Sequence, residues 1–437
     1  MWLLFKNGRV IDPSQGIDQV TDLLIEDGRI SSIGNINSKS LNPEDGAIYD
    51  VSGLVITPGL IDMHVHLREP GLEYKETIET GAQAAAAGGF TTILAMPNTK
   101  PAVDSRALVE YVLGKGKKAA VNVLTTGAAT KGNEGHEMAE IGEMLDAGAV
   151  AISDDAFPIQ SADLMRRVME YSKMFDAPVL THCEDKSMTE DGVMNEGVTC
   201  TVLGLRPWPR QAEEIMIARN ILLAQLTGCR LHIQHVSTAT GAEDVKWAKE
   251  MGLKVTCETA PQYFSLTDQA LNTYDSNAKM NPPLRTQSDI DAIKSALADG
   301  TIDAIATDHA PHALNEKEVE MQYAAFGIVG LETSLSLVLT NLVKSGVLSL
   351  NDAITRMTTG PAQILGIDAG TLKQGVAADV TIIDLDASVT VKSAEFKSKG
   401  KNTPFEGFEL TGKAVATIVG GEVVYGKETL ENRAESI

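Results

Sequence analysis

The chain has 437 residues, enough for one large domain or for a large domain with a small companion. Its hydrophobic content of 43% and charged content of 22% are ordinary for a globular enzyme, whereas a formal net charge of -22 argues against a protein that clamps nucleic acid or an anionic membrane. The four cysteines form no CxxC pair, and no run approaches the ~20 apolar residues of a membrane-spanning helix. The N-terminus also lacks the features of a signal peptide, so these patterns together predict a reduced, cytoplasmic enzyme.

The N-terminal segment has the pattern of short strands and tight turns. The run TDLLIEDGRISSIG places two apolar stretches around Asp27-Gly28, which predicts a β-hairpin. The C-terminal segment has the same character, because ADVTIIDLDASVTV precedes AVATIVGGEVVYG, which we expect to turn at Gly420-Gly421. Two strand-rich ends around a different middle predict one small β-sandwich domain, built from residues 1–56 and 366–437.

The middle of the chain, residues 57–365, alternates short β-like runs with helical stretches. The β-like runs are, in order, LIDMHVHLR, TTILAMPN, AVNVLTTG, AVAISDD, PVLTHCED, RLHIQHVS, KVTCETAP and DAIATDHAPH. Between two of them, QAEEIMIARNILLAQL has apolar residues at helical spacing and stops at Gly228, a favourable C-cap. Apolar strands that alternate with helices predict a parallel sheet, and eight such units close into a (β/α)₈ barrel whose active site lies at the C-terminal strand ends.

One connection differs from the others. After the eighth β-like run, ALNEKEVEMQYAAFGIVG is charged at first and then contains AFG. Long connections at this face of a barrel are often functional, so we expect this segment to form a mobile lid over the site.

Histidines are concentrated at the ends of the β-like runs. His64 and His66 are two residues apart, so alternation along a strand puts both side chains on one face, where they can share a cation. Arg68 falls on the same face if the strand continues. An isolated HxH pair is a weak signal, but His182 and His235 end the fifth and sixth runs at the same predicted rim. Imidazole nitrogens suit zinc and similar transition metals better than magnesium or calcium, so this set predicts a site for a metal of that kind.

Carboxylates accompany these histidines. Asp308 ends the eighth run, where it could ligate an ion and exchange a proton, or could instead cap the following helix or pair with a lysine. Asp154 and Asp155 end the fourth run. Adjacent residues of a strand point to opposite faces, so only one of the two is expected to face the ions, and spacing alone leaves the choice open.

These features together resemble the amidohydrolase superfamily, and LVITPGLIDMHVH and GTLKQGVAADVTIID are similar to the segments that flank its barrel. Within that superfamily the chain resembles dihydroorotases of the larger bacterial type, through DMHVHLREPG, GGFTTILAMPNTKP, KMNPPLR, ATDHAPH and SKGKNTPFEG. The resemblance covers nearly the whole chain. It implies the reversible cyclisation of N-carbamoyl-L-aspartate to L-dihydroorotate, with loss of water, in pyrimidine biosynthesis.

The resemblance also implies roles for individual residues. The expected metal ligands are His64, His66 and Asp308 for one ion, His182 and His235 for the other, and Asp155 as the bridge. The expected substrate-binding residues are Arg68, Asn98, Asn281 and His312, with Phe326 and Gly327 closing over the substrate. The expected cofactor is Zn²⁺, one or two ions per subunit with two favoured, and Asp308 is expected to be the catalytic proton shuttle.

The chain differs from related proteins at two positions that affect these expected roles. Hydantoinases, allantoinases and many dihydroorotases bridge their metals with a carboxylated lysine at the end of strand four. No lysine is near Asp154-Asp155, and Lys173 downstream falls in a helix-like stretch, so the chain fits the subgroup in which aspartate bridges. That subgroup often has a proline before the FG pair, where this chain has Ala325.

Three other interpretations stay open. A related cyclic-amide hydrolase of the hydantoinase or allantoinase type would share the metals, and an inert dihydroorotase-like subunit could scaffold aspartate transcarbamoylase. The scaffold is disfavoured because such relatives typically lose metal histidines, which this chain retains. A structural zinc protein is least favoured, because structural sites are usually closed tetrahedra. We expect a small-molecule substrate and a homodimer, without nucleic acid or membrane partners; an association with aspartate transcarbamoylase stays open.

Overall fold

A computed structural model describes residues 1–434; residues 435–437, the end of the expected β domain, lie outside the described part. The strands are β1 Trp2–Asp12, β2 Ile17–Glu26, β3 Arg29–Gly34, β4 Gly46–Asp50, β5 Val55–Pro58, β6 Leu60–Val65, β7 Phe90–Ala95, β8 Asn122–Ala128, β9 Ala151–Ser153, β10 Val179–Thr181, β11 Met194–Asn195, β12 Pro207–Trp208, β13 Leu231–Ile233, β14 Val255–Thr259, β15 Ala304–Ile305, β16 Val380–Thr390, β17 Glu409–Val419 and β18 Glu422–Tyr425. The α-helices are α1 Ile78–Gly88, α2 Arg106–Gly116, α3 Ile141–Asp146, α4 Ala162–Lys173, α5 Lys186–Thr189, α6 Val198–Leu203, α7 Gln211–Thr227, α8 Ala239–Glu250, α9 Gln287–Ala298, α10 Leu314–Lys317, α11 Ser334–Val338, α12 Leu350–Met357, α13 Thr359–Leu365 and α14 Lys427–Glu431.

Within residues 1–434, no helix has both the length and the apolar character needed to cross a membrane.

Parallel strands form the barrel in the order β6-β7-β8-β9-β10-β13-β14-β15 among the described residues. Each contains part of one of the predicted β-like runs, and the predicted barrel is confirmed. The first strand meets the segment that follows the last one through a parallel bridge between Val65 and His309, and the N–H of His66 donates to the carbonyl of His309 at 2.8 Å. Strands β6 and β7 are buried along their whole length, because both faces of a parallel sheet are covered.

Helices surround these strands and pack on them through the main hydrophobic core, which includes Phe90, Ile217 and Val245. The helix predicted from apolar spacing is α7, and it ends as expected at Gly228. This glycine has a φ of 71° and donates its N–H to the carbonyl of Ala224 at 2.7 Å, which closes the last turn.

Both chain termini build the remaining large sheet, whose order is β18-β17-β16-β5-β1-β2-β3, with β4 paired to β1. Strand β5 joins its two halves, because it pairs parallel with β1 and antiparallel with β16. Both predicted turns are confirmed: Asp27-Gly28 and Gly420-Gly421 have positive φ at both central residues, as a two-residue hairpin turn of type I′ requires. The turns also touch, since a Cβ at Gly28 would lie 2.6 Å from the carbonyl oxygen of Gly420.

A buried carboxylate ties the end of β1 to the segment that precedes β16. One oxygen of Asp12 accepts from the backbone N–H and the hydroxyl of Ser14, at 2.9 and 2.7 Å. The other accepts from Gln15, from the hydroxyl of Thr371 and, at 2.6 Å, from the N–H of Leu372. Asp12 is fully buried, and both of its oxygens accept hydrogen bonds from these donors.

We expect Asp12→Asn to lower the free energy of unfolding by about 1–3 kcal/mol, because the amide NH₂ would face N–H and O–H donors and leave buried groups unpaired. Chemical denaturation of the purified protein measures this loss. Asp18→Asn is the matched control, because the Asp18–Arg9 pair is 43% exposed on both sides and such pairs contribute only about 0–1 kcal/mol. Equal losses in the two variants would contradict the role of Asp12.

Candidate active site

Four histidines from three strand ends surround one carboxylate at the C-terminal rim of the barrel. His64 lies in β6 and His66 just after it, His182 follows β10, and His235 follows β13. Oδ1 of Asp155 lies 3.3 Å from Nδ1 of His182, 3.7 Å from Nε2 of His64 and 3.8 Å from Nε2 of His235. Its Oδ2 lies 3.5 Å from Nε2 of His66. The fold therefore brings the expected histidines together around Asp155.

The two adjacent aspartates face different surroundings. Asp154 accepts the backbone N–H groups of Ile159 and His182 at 2.9 and 3.0 Å, and burial raises its pKa to about 6. Burial also opposes ionisation of Asp155, but His64, His182 and His235 outweigh it and hold the pKa of Asp155 well below its usual range. Asp154 therefore supports the backbone of the rim, while Asp155 presents an ionised carboxylate to the histidines.

The donor atoms around Asp155 form two groups that share this residue. Donor atoms of His64, His66 and Asp155 lie within 4.8 Å of one another, and the same holds for Asp155, His182 and His235. Among the described residues, Nε2 of His64 and Oδ2 of Asp155 are buried without a hydrogen-bond partner. Burying such groups unpaired is costly, and a cation between them would satisfy both. The side chains therefore fit a metal site.

Asp308 adds a second carboxylate to the same rim. Its Oδ1 lies 2.9 Å from Nε2 of His66 and 3.5 Å from Nε2 of His64. Asp308 and His235 have φ values of 51° and 34°, a backbone region that is strained for residues with a side chain. Such strain is typical of functional sites, where surrounding packing holds side chains in a required direction.

Arg68, His312 and Phe326 lie together beside this centre. The condition for placing Arg68 by strand alternation is not met, because β6 ends at Val65 and the backbone of Arg68 is not extended, with a φ of 61°. Its Nη2 nevertheless lies 3.4 Å from Nε2 of His312, which in turn is 2.8 Å from the carbonyl oxygen of Phe326. Burial, together with the cations of Arg68 and Lys75, lowers the pKa of His312, so its ring is neutral and donates from Nε2 to Phe326.

The two expected substrate-binding asparagines also contact residues of the rim. Oδ1 of Asn98 accepts from Nδ1 of His66 at 2.8 Å, so this amide holds a metal-facing histidine in position. Nδ2 of Asn281 donates to Glu184 at 3.0 Å. Asn281 and Phe326 line a cavity of about 330 Å³, which places both at an open space beside the rim.

The expected lid, residues 313–330, folds over this side of the barrel. The ammonium of Lys317 donates to the carbonyls of Ala325 and Gly327 at 2.8 and 3.1 Å. The N–H of Ala325 donates to the carbonyl of Glu316, a bond that a proline at this position could not form. Gly327 has a φ of 127°, which favours glycine. The mobility of the segment stays a prediction.

Two buried glutamates at the site were not anticipated from sequence. Glu258 accepts from Nδ1 of His64 at 2.6 Å and from Nε2 of His232 at 3.3 Å, and Glu184 accepts from Nε2 of His182 at 3.0 Å. An acceptor behind an imidazole fixes which nitrogen carries the proton and which faces the metal. Their signal was available, since Glu184 follows His182 by two residues and Glu258 lies near the end of the seventh β-like run.

Asn402 is a further supporting residue, and it comes from the C-terminal motif SKGKNTPFEG. Its Oδ1 accepts from the N–H of His312 at 3.0 Å. Its Nδ2 donates to the carbonyls of Ala310 and Gly327, each at 3.0 Å. A segment near the C-terminus therefore holds two loops of the rim in place.

The chain is similar in sequence and in fold to known metal-dependent hydrolases. The family description Dihydro-orotase-like matches residues 53–241, and the description Amidohydrolase family matches residues 221–425. Similar curated proteins include the dihydroorotases of Citrifermentans bemidjiense, 54% identical over 426 residues, and of Pelobacter propionicus, 53% identical over 427 residues; each match covers 97% of this chain and 100% of the relative. Among solved structures, L-hydantoinase from Arthrobacter aurescens is 30% identical with a TM-score of 0.87, over 97% of this chain and 96% of that one. Dihydropyrimidinase from Brevibacillus agri NCHU1002 shares the fold, with a TM-score of 0.84 at 24% identity over 97% and 95% of the two chains.

We expect Asp155→Ala to lose most bound metal, because both groups of donor atoms lose the carboxylate that they share. Asp154→Ala should lower stability, since two backbone N–H groups lose their acceptor, but should retain far more metal. Metal analysis of the purified variants, with circular dichroism as a check on folding, distinguishes the two roles.

Added bicarbonate should not change the metal content of the wild type, because the expected bridge is an aspartate and the ammonium of Lys173 instead donates to the carbonyl of Thr227. A folded Asp154→Ala variant without metal would mean that the wrong aspartate has been assigned.

Proposed function

Because the chain belongs to the dihydroorotase family, whose members are metal-dependent cyclic-amide hydrolases, we propose that its barrel rim holds two zinc ions and binds L-dihydroorotate beside them. The same site would close N-carbamoyl-L-aspartate in the reverse direction. The observation that carries this proposal is the single carboxylate of Asp155 shared by four histidines. Turnover of L-dihydroorotate measured beside metal content, with hydantoin as the competing ring, tests the assignment.

The distances at the rim support the proposed ligand set. One zinc would be held by His64, His66 and Asp308. The Nε2 atoms of His66 and His64 lie 2.9 and 3.5 Å from Oδ1 of Asp308. The other would be held by His182 and His235, with Asp155 contributing to both. Imidazole and carboxylate donors suit zinc. When bound, zinc supplies Lewis-acid activation of a water and of the ring carbonyl.

The substrate carboxylate requires a paired donor, and Arg68 provides one. Its side chain is buried beside His312, where a guanidinium can bind a carboxylate through two parallel hydrogen bonds. His312 and Asn98 would add hydrogen bonds, and Phe326 with Gly327 would close over the ring. The support for this arrangement is the contact of Arg68 with His312 and of His312 with Phe326.

Asp308 is proposed to move the proton. During ring opening its carboxylate would take a proton from the attacking water and pass it to the leaving ring nitrogen. During ring closure the same carboxyl would start protonated and give its proton to the departing oxygen. It would then take the proton of the attacking nitrogen and pass it to the same oxygen, which leaves as water. Its position within 3.5 Å of two metal-facing histidines supports this role.

Further parts of the proposal concern the whole molecule. We place the barrel at residues 57–365 and the small domain at residues 1–56 and 366–437. We propose a cytoplasmic homodimer that needs no nucleic acid or membrane, and an association with aspartate transcarbamoylase stays open.

We expect Arg68→Lys to reduce kcat/KM for dihydroorotate, because lysine keeps the charge but loses the paired donors. The reduction should correspond to a loss of roughly 2–4 kcal/mol in transition-state stabilisation. Metal content should remain near that of the wild type. Arg166→Lys is the matched control, because Arg166 pairs with the exposed Glu170 on its own helix. Normal kinetics in Arg68→Lys would remove Arg68 from the substrate site.

We expect Asp308→Asn to reduce turnover by roughly 10²–10⁴-fold in both directions, because an amide keeps the shape but cannot exchange the proton. In the wild type, hydrolysis needs the ionised carboxylate, so kcat/KM should rise with pH and level off, whereas closure needs the protonated form and should slow as pH rises. Steady-state kinetics against pH in each direction, with metal analysis, measure both effects. Parallel pH trends, or near-normal turnover in a fully metallated variant, would rule out this role.

A further inference from the structure

One buried carboxylate connects the metal-facing histidines to the expected substrate residues. Oε2 of Glu184 accepts from Nε2 of His182 and from Nδ2 of Asn281, both at 3.0 Å, and from the ammonium of Lys186 at 2.7 Å. Its Oε1 accepts from the hydroxyl of Thr189 at 2.5 Å. The glutamate is only 3% exposed, so these donors hold it in one place.

The contact with His182 determines how that imidazole is used. A carboxylate can only accept, so the proton of His182 sits on Nε2 and its Nδ1 keeps a free lone pair. That Nδ1 lies 3.3 Å from Asp155 and 2.8 Å from Nε2 of His235, the position where a metal fits. Glu184 therefore directs the ligand atom of His182.

The contact with Asn281 determines how that amide is used. Because Glu184 accepts, Asn281 must present its NH₂ to the glutamate, and its Oδ1 is left as the acceptor. Asn281 is half-buried and lines the cavity of about 330 Å³ that Phe326 also lines. An amide oxygen in this position can accept a hydrogen bond from an N–H group of a bound molecule, whereas a bound molecule that presents an acceptor there would leave both groups unpaired.

Glu258 provides a comparison inside the same molecule. Within residues 1–434, its carboxylate pairs with Nδ1 of His64 and Nε2 of His232. Both glutamates thus support one histidine of the rim from behind. Glu184 differs because one of its partners, Asn281, is an expected substrate-binding residue.

We propose that Glu184 is a positioning residue that turns Nδ1 of His182 towards the metal and the amide oxygen of Asn281 towards the substrate. The site thereby selects a ring or ureido group that presents an N–H to Asn281. The second half of this inference rests on the proposed function, which assigns Asn281 to the substrate.

The test compares Glu184→Gln with Glu258→Gln. Both variants should bind zinc about 10–100-fold more weakly, as measured by competition with a chelator on the purified protein. Each replaces a charged carboxylate, which can only accept, with a neutral amide that accepts more weakly and can turn its NH₂ towards the histidine. At saturating zinc, KM for dihydroorotate should rise about 10-fold in Glu184→Gln, because the amide of Asn281 is free to reverse. KM should stay near the wild-type value in Glu258→Gln.

A double-mutant cycle tests the link itself. If Glu184 acts on KM through Asn281, the double variant Glu184→Gln/Asn281→Ala should show the KM of Asn281→Ala alone. Additive effects on KM, or unchanged zinc affinity in Glu184→Gln, would overturn the inference.

If Glu184→Gln does not fold, Asn281→Leu tests the substrate half: KM should rise while zinc affinity stays normal, and an unchanged KM would overturn that half. Failure of the wild type to turn over dihydroorotate would contradict the proposed function instead, and the zinc competition would still test the role of Glu184 towards His182.

Discussion

The site depends on one ionised carboxylate that is buried among four imidazoles. Asp155 is 2% exposed, and its oxygens lie 3.3–3.8 Å from the nearest nitrogens of the four histidines. A buried charge without partners costs several kcal/mol, so this carboxylate requires the positive potential of the groups around it. Those groups lie at the ends of β6, β10 and β13, which the barrel brings to one rim. The site at the rim therefore depends on the barrel that places these strand ends next to one another.

Around that centre, most of the structure serves to hold side chains in one direction. Each imidazole has two nitrogens, and where one faces Asp155 the other is often held from behind: by Glu258 for His64, by Asn98 for His66 and by Glu184 for His182. Such partners select the tautomer and prevent ring rotation, which keeps the lone pairs directed at the metal position.

The relation to other cyclic-amide hydrolases follows from the same centre. The barrel is similar to that of L-hydantoinase, with a TM-score of 0.87, while sequence identity is higher to dihydroorotases, at 54%. A shared barrel can support several ring-opening reactions, because specificity resides in loops and strand ends. In this chain those positions carry Asp155 at the fourth strand end and Arg68 after the first.

Short-range patterns in the sequence were sufficient to predict the two glycine turns, the run of barrel strands and the clustering of His64 and His66, because each depends on residues that are neighbours in the chain. The choice between Asp154 and Asp155 was not accessible to spacing, since β9 ends at Ser153 and strand alternation does not extend to either. The direction of Arg68 was likewise decided by a turn after β6. The supporting roles of Glu258, Glu184 and Asn402 could be seen only in the folded chain. Most of their hydrogen bonds join residues that are far apart in the sequence, and a local sequence pattern does not show which distant residues the barrel brings together.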